Sequence, residues 1–314
     1  MASKVSFPLY GMDSRFRGND KNRFPQQKLI SGPKEQETIM FAIGERINGM
    51  FNDVKQAIAE HDKKVIQALA ARQTECGAYY LDVNVGTAAA DQEATMAWLV
   101  ETIQKTCKTP LCLDSQKPKV IAAGLKAADT SRGILLNSSP LNKKSDEEVL
   151  DKYLEMAEQA GPEGRLIALT MDKNGVPQDV DTRVAIAAEI MEKAMAHGFD
   201  TERLFIDPII LPVKVPDAQS QPGYILQAID QIRFLSDPPP HITCGLSNLS
   251  QTSTERSLIN RTFLAMAVSH GMDSAIIDVF DDKLMNVLAT AEMLMNKQLY
   301  SDSYLKAYRS AQVR

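Results

Sequence analysis

The sequence predicts an α/β protein, a single-domain (β/α)8 TIM barrel, on three observations. Eight short apolar runs recur along the chain, each followed by a stretch with helical spacing. The runs end in similar polar tips: Gly44-Glu45-Arg46, Leu81-Asp82-Val83-Asn84, Leu113-Asp114-Ser115, Leu136-Asn137-Ser138, Leu169-Thr170-Met171, Ile206-Asp207-Pro208, Leu246-Ser247-Asn248 and Ile277-Asp278. Four helical stretches stop at a glycine, at Gly77, Gly161, Gly198 and Gly271, where a left-handed cap turns the chain into the next strand. Eight such repeats close into a barrel and gather every strand tip around one mouth.

The elements follow in order. Strand 1 is expected over 40–45 and helix 1 over 61–76, with Val65, Ile66, Leu69 and Ala70 on one face. Strand 2 covers 78–84, and helix 2 covers 91–107 with Trp98, Leu99, Thr102 and Ile103 inward. Strand 3 covers 109–114, helix 3 117–128 and strand 4 133–137. Helix 4, 146–160, opens on a capping box from Ser145 to Glu148. Strand 5 covers 165–171, helix 5 182–197, strand 6 203–207 and helix 6 222–235. Strand 7 covers 241–247, helix 7 255–270 and strand 8 273–279. Helix 8, 283–297, repeats Leu284, Val287, Leu288, Ala291 and Leu294 at helical spacing, and 303–309 suits a short final helix. The rival architecture is an open doubly wound sheet with a glycine-rich first turn. Here that turn reads Gly44-Glu45-Arg46-Ile47-Asn48-Gly49, which is not GxGxxG.

Composition sets further bounds. The chain has 314 residues, 44% apolar and 24% charged, with a net charge of −5. The repeats occupy 40–297, which suits one barrel of roughly 250 residues. The first 39 residues hold seven Lys/Arg and four Asp/Glu, leaving 28 basic and 36 acidic residues beyond them, a balance of −8. An acidic body argues against nucleic acid as a partner, because phosphate contacts need a basic footprint. Residues 1–39 lack periodicity and read as a disordered tail, with Met40 a candidate initiator directly ahead of strand 1. The barrel is placed at 40–309 and a C-terminal tail at 310–314. No run reaches the ~18 apolar residues of a membrane span, and no signal-peptide core opens the chain. Cys76, Cys107, Cys112 and Cys244 form no CxxC pair and read as small buried hydrophobes, which suits a reducing cytoplasm and no metal.

The mouth itself carries the chemistry. No His, Cys or Lys stands at a strand tip. His61 is expected to start a helix, His197 and His270 to end helices and His241 to begin strand 7, so a histidine triad is excluded. Asp82, Asp114, Asp207 and Asp278 remain, and a carboxylate accepts two parallel hydrogen bonds from an amino group and an adjacent ring N–H. Asn137 and Asn248 offer both donor and acceptor to the rest of such a ring or to a tertiary amine. Two other readings stay open: tip aspartates that cap the next helix, and a two-carboxylate glycosidase, although the mouth lacks the aromatics that stack sugars. Gln251 and Arg256 follow Asn248 within reach of a substrate, and Arg256 also reads as a solvated first-turn residue.

At these residues the chain resembles the pterin-binding methyltransferase family. The matching pieces are Ile43-Gly-Glu-Arg-Ile-Asn48-Gly49, Leu81-Asp-Val-Asn-Val-Gly86, Leu111-Cys-Leu-Asp-Ser115, Leu136-Asn-Ser138, Phe205-Ile-Asp-Pro208, Gly245-Leu-Ser-Asn-Leu-Ser-Gln251 and Leu258-Ile-Asn-Arg-Thr-Phe263. The likeness is strongest to the methyltetrahydrofolate:corrinoid/iron–sulfur protein methyltransferases and covers 40–309. It implies a cytoplasmic homodimer of one-carbon metabolism, of the Wood-Ljungdahl type. Such an enzyme moves the N5 methyl of 5-methyltetrahydrofolate to the cob(I)amide of a separate corrinoid protein. The reverse flow to tetrahydrofolate, or a non-catalytic folate-binding subunit, are the alternatives. By the same resemblance Asp114, Asn137 and Asp207 hold the pterin, Asn248 lies by N5, and Gln251 and Arg256 complete the substrate side. Asp82, Asn48 and Ser247 support them, and no metal is bound. The segment Asp207-Pro-Ile-Ile-Leu-Pro-Val-Lys-Val215 lacks the glycine-rich stretch that resemblance to a dihydropteroate synthase requires. No Asp-x-His-x-x-Gly corrinoid motif is present, so the corrinoid is expected on a partner.

Overall fold

The computed structural model describes residues 40–87, 89–142, 149–216 and 218–312. In chain order the elements are β1 (Phe41–Asn48), α1 (Asn52–Glu60), α2 (Lys63–Glu75), β2 (Tyr80–Asn84), α3 (Gln92–Gln104), β3 (Leu111–Asp114), α4 (Pro118–Ala127) and β4 (Ile134–Pro140). They continue as α5 (Val149–Gln159), β5 (Gly164–Leu169), α6 (Val180–Ala196), β6 (Leu204–Asp207), α7 (Gln221–Ile232), β7 (His241–Ile242), α8 (Leu246–Leu249), α9 (Arg256–His270), β8 (Ser274–Ile277), α10 (Asp282–Leu294) and α11 (Tyr304–Gln312).

The eight strands run parallel, each beside its sequence neighbour, with β8 against β1. Closure between β7 and β8 rests on a bridge from Gly245 to Ile276 and on the Ile276 N–H donating to the Cys244 carbonyl at 2.8 Å. The sheet is therefore the expected barrel.

Strand alternation sorts the side chains. Phe41, Ile43, Tyr80, Cys112, Leu135, Ile167 and Phe205 form a compact apolar cluster inside the barrel. A larger apolar layer packs the outward strand residues against the helices. Two residues beyond an interior residue the chain again faces inward. That step leads from Ile43 to Glu45, Tyr80 to Asp82, Cys112 to Asp114, Leu135 to Asn137 and Phe205 to Asp207. Register adds depth. Asp82 pairs with Cys112, while Asn84, Asp114 and Asn137 form the next row up.

Several boundaries differ from the sequence expectations. An extra helix, α1, buries Val54, Ala57 and Ile58, which recur at i, i+3 and i+4 over too short a run to stand out. His61 therefore ends a helix, as a left-handed cap at φ 53°, and Asp62 caps the next one by accepting from the Lys64 N–H at 2.9 Å. β1 continues to Asn48 through a register shift after Gly44. β7 stops at Ile242, because the chain turns into the short helix α8 from Leu246. Asn248 thus rides a helical turn rather than a strand tip. Trp98 is half-buried, its ring 5.1 Å from that of His61. α11 runs to Gln312, beyond the expected barrel limit. The four capping glycines all have positive φ, from 74° at Gly198 to 110° at Gly271. The Ser145–Glu148 capping box and the tail 1–39 lie outside the described residues.

Gly164 opens β5 where the loop from α5 doubles back. A Cβ there would run into the Ala157 carbonyl oxygen, which is backbone and has no rotamer to give. Gly164→Ala should cost roughly 1–3 kcal/mol of stability, read as a lowered urea midpoint with an unchanged slope.

Candidate active site

A cavity of about 580 Å³ opens at the C-terminal ends of β1, β2, β3 and β8, beside α8 and the start of α9. Its walls include Asn48, Asp82, Asp114, Ser247, Asn248, Gln251 and Arg256, seven of the residues singled out from sequence. Asn137 and Asp207 are buried at the same level without lining this cavity. Asn137 pairs with Asp114 across β3 and β4, and Asp207 lies within the electrostatic reach of Asp114.

The carboxylates differ in depth and support. Asp82 is 2% exposed, and its Oδ1 has no hydrogen-bond partner among the described residues. Burial, reinforced by the charge of Asp114, raises its pKa well above the usual range, against the pull of Cys112 and Asn137. Asp114 accepts from the Asn84 side-chain amide at 2.5 Å. Burial pushes its pKa up to about 6, with Asn84 opposing. Asp207 Oδ1 accepts from the Ile209 N–H at 2.7 Å. Its pKa rises to about 7, mainly through burial and then through Asp114, while the Ile209 N–H and Arg183 hold it back. The tight turn forces Ile209 to φ 58°, a region a β-branched residue rarely enters.

Sequence reasoning passed over several residues that build this mouth. Arg183, on α6, is fully buried. It donates to the carbonyls of Pro177 and Pro208, both at 2.7 Å, and to Gln221 Oε1 at 3.0 Å. One guanidinium therefore ties the loop after β5 to the loop that carries Asp207. Its signal was absent from the sequence, where an arginine at the start of a helix reads as solvated. Glu45 stands at the first strand tip of the sequence, where nothing local marks it for a role. It accepts from the Ser247 hydroxyl at 2.8 Å, and burial raises its pKa to about 7. At the far wall Asp281 accepts twice from Arg261 Nη2 at 2.8 Å and caps α10. Asn260 Oδ1 is buried there without a described partner.

Arg256, Gln251 and Asn248 are exposed toward the mouth. Arg256 donates to Ser250 Oγ at 3.3 Å and lies 3.5 Å from the Ser247 carbonyl, so it braces the turn as well as facing the cavity. The histidines serve elsewhere: His197 meets Asp151 at 3.1 Å, His241 meets Asp273 at 2.6 Å and His270 meets Asp230 at 2.8 Å. Among the described residues no group of His, Cys, Asp and Glu is arranged to hold a metal ion. A floor of buried acceptors beneath amide and guanidinium groups suits a flat heterocycle with an N–H edge.

The raised carboxylates bear on stability. The folded chain keeps the Asp207 proton between the usual 3.8 and about 7, where the unfolded chain has lost it. Stability therefore declines as pH rises through that window. Asp207→Asn removes the buried charge while its Oδ1 still accepts from Ile209. It should raise the melting temperature by about 3–6 °C at pH 8 and by less at pH 5. Differential scanning calorimetry reads both.

Known proteins resemble this chain over most of its length. Residues 45–278 match the family of pterin binding enzymes. The methylcorrinoid:tetrahydrofolate methyltransferase of Eubacterium limosum is 31% identical over 274 residues, which cover 87% of this chain and 98% of that protein. The methionine synthase of Mycobacterium leprae is 28% identical over 251 residues, 78% of this chain but 20% of that longer protein. Among solved structures, a Yersinia pestis dihydropteroate synthase with a pterin–sulfa conjugate superposes with a TM-score of 0.58 at 15% identity, covering 82% of this chain and 95% of that one. The Xanthomonas albilineans dihydropteroate synthase with 7,8-dihydropteroate gives 0.56 at 18% identity, over 81% and 93%. Those two likenesses speak to the fold alone. The family match and the near full-length relative together make this chain a member of the pterin-binding enzyme family.

Proposed function

We propose that the chain is a methyltransferase that moves a methyl group between N5 of tetrahydrofolate and a corrinoid. The observation that carries this is the pairing of a buried carboxylate floor with an amide at the rim, in a chain that aligns with 98% of a methylcorrinoid:tetrahydrofolate methyltransferase. Asp114, Asn137 and Asp207 hold the pterin ring, with Asp82 beneath them. Asn248 faces N5, Gln251 and Arg256 meet the rest of the substrate, and Asn48 and Ser247 support the rim.

The chemistry explains this division of labour. N5 is a poor leaving group until it gains positive character. The corrinoid substrate brings its own strong nucleophile, so the protein supplies none. The protein's task is to orient the ring and stabilise charge on the amine, which the Asn248 amide and the buried carboxylates supply from positions the fold sets. The same groups serve both directions, since the N5–carbon bond breaks and forms in one place. We take 5-methyltetrahydrofolate as donor and the corrinoid as acceptor. The Eubacterium limosum relative, a methylcorrinoid:tetrahydrofolate methyltransferase, is named for a methylated corrinoid as donor and supports the opposite flow as a second reading.

The corrinoid arrives on a separate protein, here taken as a corrinoid/iron–sulfur protein or a similar carrier. The working unit is the barrel at 40–309. Homodimerisation is supported by an apolar furrow of about 460 Å³ between α9 and α10, where Leu294 stands 74% exposed. A cytoplasmic setting fits the four free cysteines. No helix among the described residues is long and apolar enough to cross a membrane.

The test is absorbance-monitored transfer between 5-methyltetrahydrofolate and cob(I)alamin, run in both directions. Formation of methylcobalamin or of methyltetrahydrofolate supports the reading, and tight folate binding without transfer in either direction leaves a folate-binding subunit. Asn248→Ala should slow transfer roughly a hundredfold and leave folate affinity nearly intact. Because the carboxylate is the form that accepts the ring N–H groups, folate affinity should weaken as pH falls through about 7 and then about 6, where Asp207 and Asp114 take up protons. Isothermal titration across that range measures it.

A further inference from the structure

Glu45 is the one mouth carboxylate whose described hydrogen bond comes from the segment carrying Asn248. Its Oε1 accepts from the Ser247 hydroxyl at 2.8 Å, across 202 residues of sequence. Ser247 and Asn248 are consecutive on the four-residue helix α8. That turn is also held elsewhere, with the Val213 N–H donating to the Leu249 carbonyl at 2.9 Å and Arg256 Nη2 3.5 Å from the Ser247 carbonyl. Gly245 at its start bridges to Ile276 of β8, and Arg256 of α9 donates to Ser250 Oγ at 3.3 Å. The Asn248 amide lies close over the backbone of its own turn, since a Cβ on Gly245 would stand 2.9 Å from Asn248 Nδ2. A small tilt of α8 therefore redirects that amide.

The charges around Glu45 come from every side. Arg46 lies next to it on β1, Asp82 on β2, Arg256 on α9, and Asp278 at the end of β8. Burial dominates, and the carboxyl changes charge at about 7. An ionised carboxylate accepts a hydroxyl proton far more strongly than a neutral acid does.

We infer that Glu45 is a positioning residue: ionised, it grips the Ser247 hydroxyl and sets the tilt of α8, so the reach of the Asn248 amide into the cavity follows the charge on Glu45. The catalytic consequence rests on the methyl-transfer reading. The coupling itself is a property of the free protein.

The experiment follows the side-chain amide of Asn248 by 15N-resolved NMR in the full-length protein, assigned by its loss in Asn248→Asp. In the wild type the resonance should move with pH, with a midpoint near 7. It should stay fixed in Glu45→Gln and in Ser247→Ala, move again in Ser247→Thr, which keeps the hydroxyl, and still move in Asp207→Asn. Methyl transfer should fall roughly ten- to a hundredfold in kcat for Glu45→Gln, with folate Kd changed less than about threefold. A wild-type resonance indifferent to pH, or one that still titrates in Glu45→Gln, overturns the inference. If Glu45→Gln does not fold, Ser247→Ala carries the same comparison. Absence of methyl transfer from the wild type in both directions strikes the proposed function instead, while a titrating Asn248 amide still upholds the coupling.

Discussion

Alternation along the strands is the constraint on which this molecule depends. Seven apolar side chains fill the inside of the barrel, and the next inward residue on four of those strands is a carboxylate. Asp82, Asp114 and Asp207 sit directly on an apolar plug, and burial is the largest cause of the raised pKa at each. Close-packed acids of this kind share too few donors to ionise comfortably. A ligand that brings an amino group and ring N–H groups supplies what the folded chain lacks.

The surroundings are built to keep that deficit in place. Asn84 gives its amide to Asp114, and the Ile209 N–H serves Asp207 at the cost of a strained φ. Arg183 spends its guanidinium on backbone carbonyls rather than on a carboxylate. That choice fixes two loops without neutralising the acids. The same arrangement gives a rigid floor and a more adaptable rim, where Asn248, Gln251 and Arg256 stand on or after a single helical turn. Preorganised acceptors below and an amide above match a reaction that must hold a flat ring while charge develops at one nitrogen.

Much of this was legible in the chain because it is local. Strand tips at Asp82, Asp114, Asn137 and Asp207 can be read from a few residues each, and so can the helix stops at glycine. What escaped is long-range or short. The Glu45–Ser247 contact joins the two ends of the barrel, and the reach of Arg183 to Pro208 and Gln221 spans 25 and 38 residues. Neither leaves a pattern in spacing. α1 is nine residues long and α8 only four, too few turns for periodicity to declare itself. β7 reads as a strand through Ser247, yet two residues pair before the chain bends. The position of Asn248 on a helical turn follows from that bend and not from its sequence context.

A pterin edge received by these buried carboxyls should drive off the proton that burial keeps on them. Infrared difference spectroscopy of the protein with and without tetrahydrofolate, near neutral pH, addresses it directly. Folate should remove a protonated-carboxyl C=O band and add carboxylate bands, with the change diminished in Asp207→Asn. An unchanged protonated-carboxyl region in a protein saturated with folate would contradict it.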